Sequence, residues 1–210
     1  RDAAAIQPPR PFTANRAPRI VRHKGPADQA MLRFTWPTRD DGDPVETLAL
    51  ELLERVSHIE LTEILREKLG KAYSPAAASS PSRTWRGFGT FGIAASVATG
   101  EVAAAREAIV EVVSALRTAP VDEDTLRRAR QPLIEEHANA LKTNGGWLGL
   151  VARAQSEAGR IERYLKAGER LMALTPADVM AMARRYLDPA AAVEIAVLPQ
   201  DAASDTGTRR

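Results

Sequence analysis

Apolar positions recur with two different periods along this chain, and the points where the period switches divide it into elements. From Gln29 to Trp36 the period is two. Met31, Arg33 and Thr35 alternate with Leu32, Phe34 and Trp36, which predicts a strand with one buried face. A shorter strand, Arg19 to His23, precedes it across Lys24-Gly25-Pro26. At Asp43 the period becomes helical. Asp43-Pro44-Val45-Glu46 sets an acidic cap, a proline at the first helical position and a glutamate at the third. Val45, Leu48, Ala49, Leu52, Leu53 and Val56 then share one stripe. Ser57-His58-Ile59-Glu60 repeats the capping pattern, so the sequence predicts a bend or restart there, or else a continuous helix. Leu61, Ile64, Leu65 and Leu69 extend the stripe to Gly70, a residue suited to a left-handed cap.

Beyond Gly70, Tyr73 to Ser80 and Gly87 to Ala98 read as an antiparallel strand pair. The glycines of the second strand suggest a bulge or a close backbone approach. Thr99 is placed to cap a helix whose Val102, Ala105, Ile109, Val112, Val113 and Leu116 share a face. A longer helix follows from about Asp122 to Lys142, with Pro132 expected to kink or break it. Asn144-Gly145-Gly146 interrupts the chain before helices near Trp147 to Ala158 and Ile161 to Leu174. Thr175-Pro176-Ala177-Asp178 starts a last helix to Leu187, and Ala191 to Leu198 is a closing strand. This order predicts an α+β fold, a two-layer sandwich. Residues 1–18, with Gln7-Pro8-Pro9-Arg10-Pro11, read as a linker, 19–199 as the domain and 200–210 as a disordered tail.

Composition narrows the function classes only modestly. Among 210 residues, 44% are hydrophobic and 27% charged, ordinary for a globular chain able to bury a core. The pI of about 9.2 favours nucleic acid, but the formal charge is only +2 and both signs are interspersed. We therefore expect no nucleic-acid partner; Arg127-Arg128-Ala129-Arg130 reads as a solvated helix face. With no cysteine, disulfides and thiolate chemistry are excluded. No apolar run is long enough for a membrane span. The chain opens at Arg1 rather than Met, which suggests a piece of something longer.

The candidate chemistry sits at the end of the first long helix. Arg66, on the helix, and Tyr73, just past its end, can converge as a cation and a phenol that clamp a peptide carbonyl or an oxyanion. Taken alone, the same residues better suit a solvated helix arginine and an ordinary strand aromatic. Arg66-Glu67, Gly70 and Ala72-Tyr73-Ser74 resemble, in type and spacing, the signature in the C-terminal half of the pitrilysin-like, or M16, zinc metallopeptidases. The likeness in element order runs from about residue 19 to 199. It implies a mainly antiparallel sheet with helices on one face. It further implies a domain that positions peptide in a closed chamber, with the zinc supplied by another domain. Tyr73 would donate to the carbonyl oxygen as it becomes negative, and Arg66 would grip a peptide carbonyl.

No zinc site of this chain's own is expected. Its three histidines, His23, His58 and His137, never lie two to a helical turn, and Leu133-Ile134-Glu135-Glu136-His137 misses the zinc motif by its leucine. His137 is expected to be partly buried and hydrogen-bonded, His58 a first-turn helix residue and His23 a strand-end residue. The resemblance implies as partners the N-terminal zinc half, in the same protein or another subunit, and a peptide substrate. It also points toward the bacterial periplasm. The alternative is a non-catalytic scaffold or peptide-binding subunit of the same fold. The chain alone is expected to hydrolyse no peptide, and chelator-sensitive cleavage by the purified chain would contradict this.

Overall fold

A computed structural model describes residues 10–69 and 74–200. Five strands form one sheet: β1 (Arg19–His23), β2 (Gln29–Thr38), β3 (Ser74–Pro81), β4 (Gly89–Ala98) and β5 (Val193–Pro199), in the spatial order β1-β5-β2-β4-β3. β2–β4, β2–β5 and β3–β4 pair antiparallel, whereas β1 runs parallel to β5. The mainly antiparallel α+β sandwich expected from the sequence is the observed fold. One detail differs. β1 and β2, adjacent in sequence, do not pair, because the closing strand β5 inserts between them.

The period-two pattern sets the layers. Leu32, Phe34 and Trp36 of β2 and Phe91, Ile93, Ala95 and Val97 of β4 point into the core, while Met31, Arg33 and Ser96 face the other way and are exposed. Helices cover only the core side. The first, α1 (Pro44–Leu69), is a single 26-residue helix, so no restart occurs at Ser57. The reason is burial. Leu52, Leu53, Val56, Ser57 and Leu61 are all fully enclosed, and the continuous stripe overrides the local capping pattern, leaving the Ser57 hydroxyl without a partner. His58 is thus an exposed mid-helix residue rather than a first-turn one.

α2 (Val102–Thr118) packs on α1, β2 and β4. Thr99 does not cap it: a short 3-10 turn, Thr99–Glu101, intervenes, and the Thr99 hydroxyl donates instead to Ala27 O at 2.9 Å. α3 (Glu123–Ala140) carries Pro132 without being broken, its start fixed by Asp122 accepting from Thr125 N. Gly145 and Gly146 do not interrupt the chain but belong to the first turn of α4 (Asn144–Val151), capped by Thr143. The segment expected as one helix to Leu174 is two, α5 (Arg160–Leu165) and α6 (Ala167–Ala173). α7 (Pro176–Tyr186) opens on a complete capping box between Thr175 and Asp178.

Long-range polar ties lock these layers. Trp36 Nε1 donates to Asp188 O at 2.9 Å, and the Tyr186 hydroxyl donates to Glu46, which holds α7 against the start of α1; burial, with this bond adding to it, pushes the phenol pKa up to about 12. The sheet edge at β3 is protected. The Ser79 amide donates to Glu54 of α1 at 2.7 Å, while Pro75 and Pro81, of the same parity, have no N–H to offer another strand. Ahead of β1, Phe12 stacks on Phe88 with ring centroids 4.5 Å apart.

Gly89 confirms the close backbone approach that the sequence suggested. A Cβ there would lie 2.0 Å from Arg39 O and 2.6 Å from Thr38 Oγ1, at the pairing of β4 with the end of β2. Gly89→Ala is expected to destabilise the protein by about 1–3 kcal/mol in urea unfolding. Gly100→Ala, with open space around it, should change stability far less.

Candidate functional site

The C-terminal turn of α1 is anchored on two sides. Lys68 pairs with Glu111 of α2, and Arg128 of α3 reaches Glu63 at 3.2 Å. These cations also suit the negative end of the helix dipole, as does Arg66. Arg66 itself is exposed, and its guanidinium makes no ion pair or hydrogen bond with any described residue. A planar five-donor group held at a fixed helix end is equipped to take a carbonyl or carboxylate oxygen. Tyr73 and Gly70 lie outside the described residues; Ser74, the next residue, begins β3.

A second concave region lies on the helix side of the molecule. Glu51, Glu54, Glu136, His137 and Tyr164 line a cleft of about 350 Å³ between α1, α3, α5 and β3. The look-alike zinc motif contributes to it in an unexpected way. Leu133, where a ligand histidine would stand, is a buried core residue, while Glu136 and His137 face the cleft. Glu136 is already engaged, accepting from Arg55 at 3.1 Å through both oxygens. Among the described residues no group of three or more His, Asp or Glu side chains could hold a metal ion. The described residues do not fit a zinc centre.

His137 is half-buried as expected, but its ring nitrogens form no hydrogen bond with a described residue. Its ring meets Tyr164 edge-on, centroids 5.1 Å apart, and the Tyr164 hydroxyl donates to the His137 carbonyl at 3.2 Å. Burial pushes the imidazole pKa down, with Glu136 opposing weakly. His23, at a strand end, is tied to the next turn: Gly25 N donates to Nδ1 at 2.9 Å, and Nε2 lies 2.9 Å from Gln29 O. Sequence reasoning named Arg66 as a candidate, which the structure places exposed at the end of α1, and gave no sign of the cleft. Its lining residues come from elements far apart in the chain, so no spacing announces them.

An open α+β sandwich defines the class at the level of fold, and Arg66 at the end of its central helix has no partner among the described residues. The chain matches the family described as the peptidase M16 inactive domain over residues 2–133. It belongs to the M16 peptidase family. Solved structures agree at the level of fold. The peptidase M16 inactive domain from Pseudomonas fluorescens superposes with a TM-score of 0.69 at 18% identity, covering 88% of this chain and 44% of that one. A putative zinc protease from Bordetella pertussis Tohama I gives 0.67 at 16%, covering 82% and 94%. The periplasmic protease PqqL from Escherichia coli gives 0.67 at 15%, covering 90% and 21%. The chain spans 44% of the length of each of the first four solved structures it matches. No curated protein sequence matches it.

The imidazole gives a pH signature. Its folded pKa lies below the ordinary 6.5, so an unfolded chain takes up a proton before the native one does. The stability this group supports is complete above 6.5 and is lost as pH falls through the depressed folded value. His137→Gln should therefore flatten the fall of Tm below pH 6.5, measured by calorimetry, and leave the profile above it nearly parallel to the parent.

Proposed function

We propose that this chain is the substrate-positioning, non-zinc domain of an M16-type zinc metalloendopeptidase that acts on peptides in a closed chamber. Arg66 and Tyr73 contact the peptide in this reading. Tyr73 donates to the carbonyl oxygen as it gains negative charge, and Arg66 holds a neighbouring carbonyl and fixes the register. The zinc and the general base come from another half, in the same polypeptide or a partner subunit. The observation that carries the reading is Arg66: an exposed guanidinium without a partner among the described residues, held at the end of the helix that organises the fold, within a family match.

The bare face of the sheet adds support. On β3 and β4 it presents Ser74, Ala76, Ala78, Ser80, Thr90, Ala94, Ser96 and Ala98, none larger than threonine, while the Arg33 side chain lies over Gly92. A flat wall of small side chains suits a surface along which an extended chain passes. The β1–β5–β2 side of the same face exposes Val21 and Met31, at 49% and 41%, as an interdomain contact would require. A periplasmic address belongs to this reading and is supported by the likeness to the periplasmic E. coli protease. Among the described residues no helix is long and apolar enough to cross a membrane. The second reading, a non-catalytic scaffold, is favoured by the family's description as an inactive domain.

Combined with its zinc-bearing half, the protein is expected to cleave peptides in a chelator-sensitive way. Tyr73→Phe should lower kcat by about 10²–10³-fold, with zinc content and Tm unchanged. A kcat/KM within a factor of about two of the parent would remove Tyr73 from the chemistry. Absence of any chelator-sensitive cleavage by the assembled protein would leave the scaffold reading.

A further inference from the structure

Charge is divided unequally between the two sides of the sheet. Among the described residues the five strands hold a single acid, Glu194 of β5. It points to the helix side, where Arg106 of α2 donates to both its oxygens. The outer face therefore carries no carboxylate at any described strand position. It does carry Arg33 of β2 and Arg19 of β1, both exposed and both in register with Ile195 between them. Two strand spacings of about 4.8 Å put their backbones roughly 10 Å apart. Neither guanidinium makes an ion pair with a described residue. His23 shares the face but is tied to its own turn.

Arg33 is the better placed of the two cations. Its Nε donates to Thr35 Oγ1 at 3.3 Å, and the guanidinium lies over Gly92 of β4, where a Cβ would come within 3.2 Å of Nη2. Glycine thus leaves room for the cation to rest at the border of the small-residue wall of β3 and β4. The Nη groups have no partner among the described residues, and a planar pair of donors suits one carboxylate. Around them Ala76, Ala78, Thr90 and Ala94 are too short to cover the charge. A cation on a face without acids is complemented only from outside the sheet.

We propose that this face selects acidic segments of the extended polypeptide that passes along it, with Arg33 pairing the carboxylate of a Glu or Asp side chain and Arg19 adding to the local positive potential. This substrate preference rests on the substrate-positioning role proposed above. Arg66 in that role holds a backbone carbonyl and is blind to side chains, whereas Arg33 reads one. Basic segments are repelled by the same two cations, and neutral ones gain nothing from them.

Two short peptides of alanine and serine, acetylated and amidated and differing only in a central Glu or Gln, isolate the charge. Titrated into the chain and followed by amide NMR, the Glu peptide is expected to shift Arg33, Gly92 and Ala94. It should bind about two- to fivefold more tightly than the Gln peptide, the range of an exposed ion pair. Arg33→Gln should bring the two affinities together with Tm nearly unchanged. Arg33→Lys, which keeps the charge without the planar fork, should retain part of the difference. In the protein assembled with its zinc-bearing half, where a closed chamber excludes water, the ratio of kcat/KM for the Glu over the Gln peptide should reach about tenfold and fall toward one in Arg33→Gln. Equal binding of the two peptides, or a preference that survives Arg33→Gln, overturns the proposal. Chelator-sensitive cleavage without a Glu preference overturns it too, and leaves the substrate-positioning role standing. A Glu preference in binding that Arg33→Gln abolishes, with no cleavage by the assembled protein, supports the acid-selective face and removes the peptidase role instead.

Discussion

The burial of α1 is the constraint on which the rest of the structure depends. This helix contacts β3, α2, α3, α6 and α7, and Leu50, Leu52, Leu53, Val56, Leu61 and Leu65 along it are each 2% exposed or less. An isolated helix of this kind gains little from propensity alone, and Thr47, Val56 and Ile59 are no help. What holds it continuous for 26 residues is that a different layer claims each side. The charged ties Arg55–Glu136, Glu63–Arg128 and Lys68–Glu111 lie at the margins of those contacts, exposed enough to fix register more than to add stability.

That dependence explains which parts of the fold were legible in the sequence. The strand periodicity of β2, the cap at Asp43 and the capping box at Thr175 are local signals, and each stands where it was read. Ser57-His58-Ile59-Glu60 is also a local signal, yet it is overridden, since breaking α1 there would uncover Val56 and Leu61. The pairing of β1 with β5 joins residues about 176 apart, such as Arg19 with Ile195, and no short-range pattern encodes it. The split at Lys166 has a tertiary cause as well. Ala167 and Leu171 turn into the core while Leu165 stays 55% exposed, so one straight helix would not serve both segments.

Legibility of the sites follows the same division. The position of Arg66 is legible because its neighbours in sequence are its neighbours in space, on one helix that ends within a few residues. The cleft is assembled from Glu51 and Glu54 of α1, Ser79 of β3, Glu136 and His137 of α3, and Tyr164 of α5. None of these pairs off at a ligand-like interval except the near-miss at Leu133 to His137, which the fold uses for something else. Leu133 goes to the core precisely where a metal motif would need a ligand, and the remaining acid and imidazole turn toward the cavity.

One helix therefore carries Glu51 in the cleft lining and Arg66 at its exposed end, at well-separated points along its length. Without a joint between them, a displacement of α1 at Glu51 cannot be absorbed by bending at Ser57, whose surroundings are closed, and must be taken up by sliding against α2 and α3. The salt bridges from Glu63 and Lys68 resist that sliding near the Arg66 end. The geometry of Arg66 is then set less by its own turn than by the packing of the whole helix. A substitution deep in that stripe, at Val56 or Leu53, would disturb the arginine's position without touching it, as strain in a close-packed interior passes to the nearest surface able to yield.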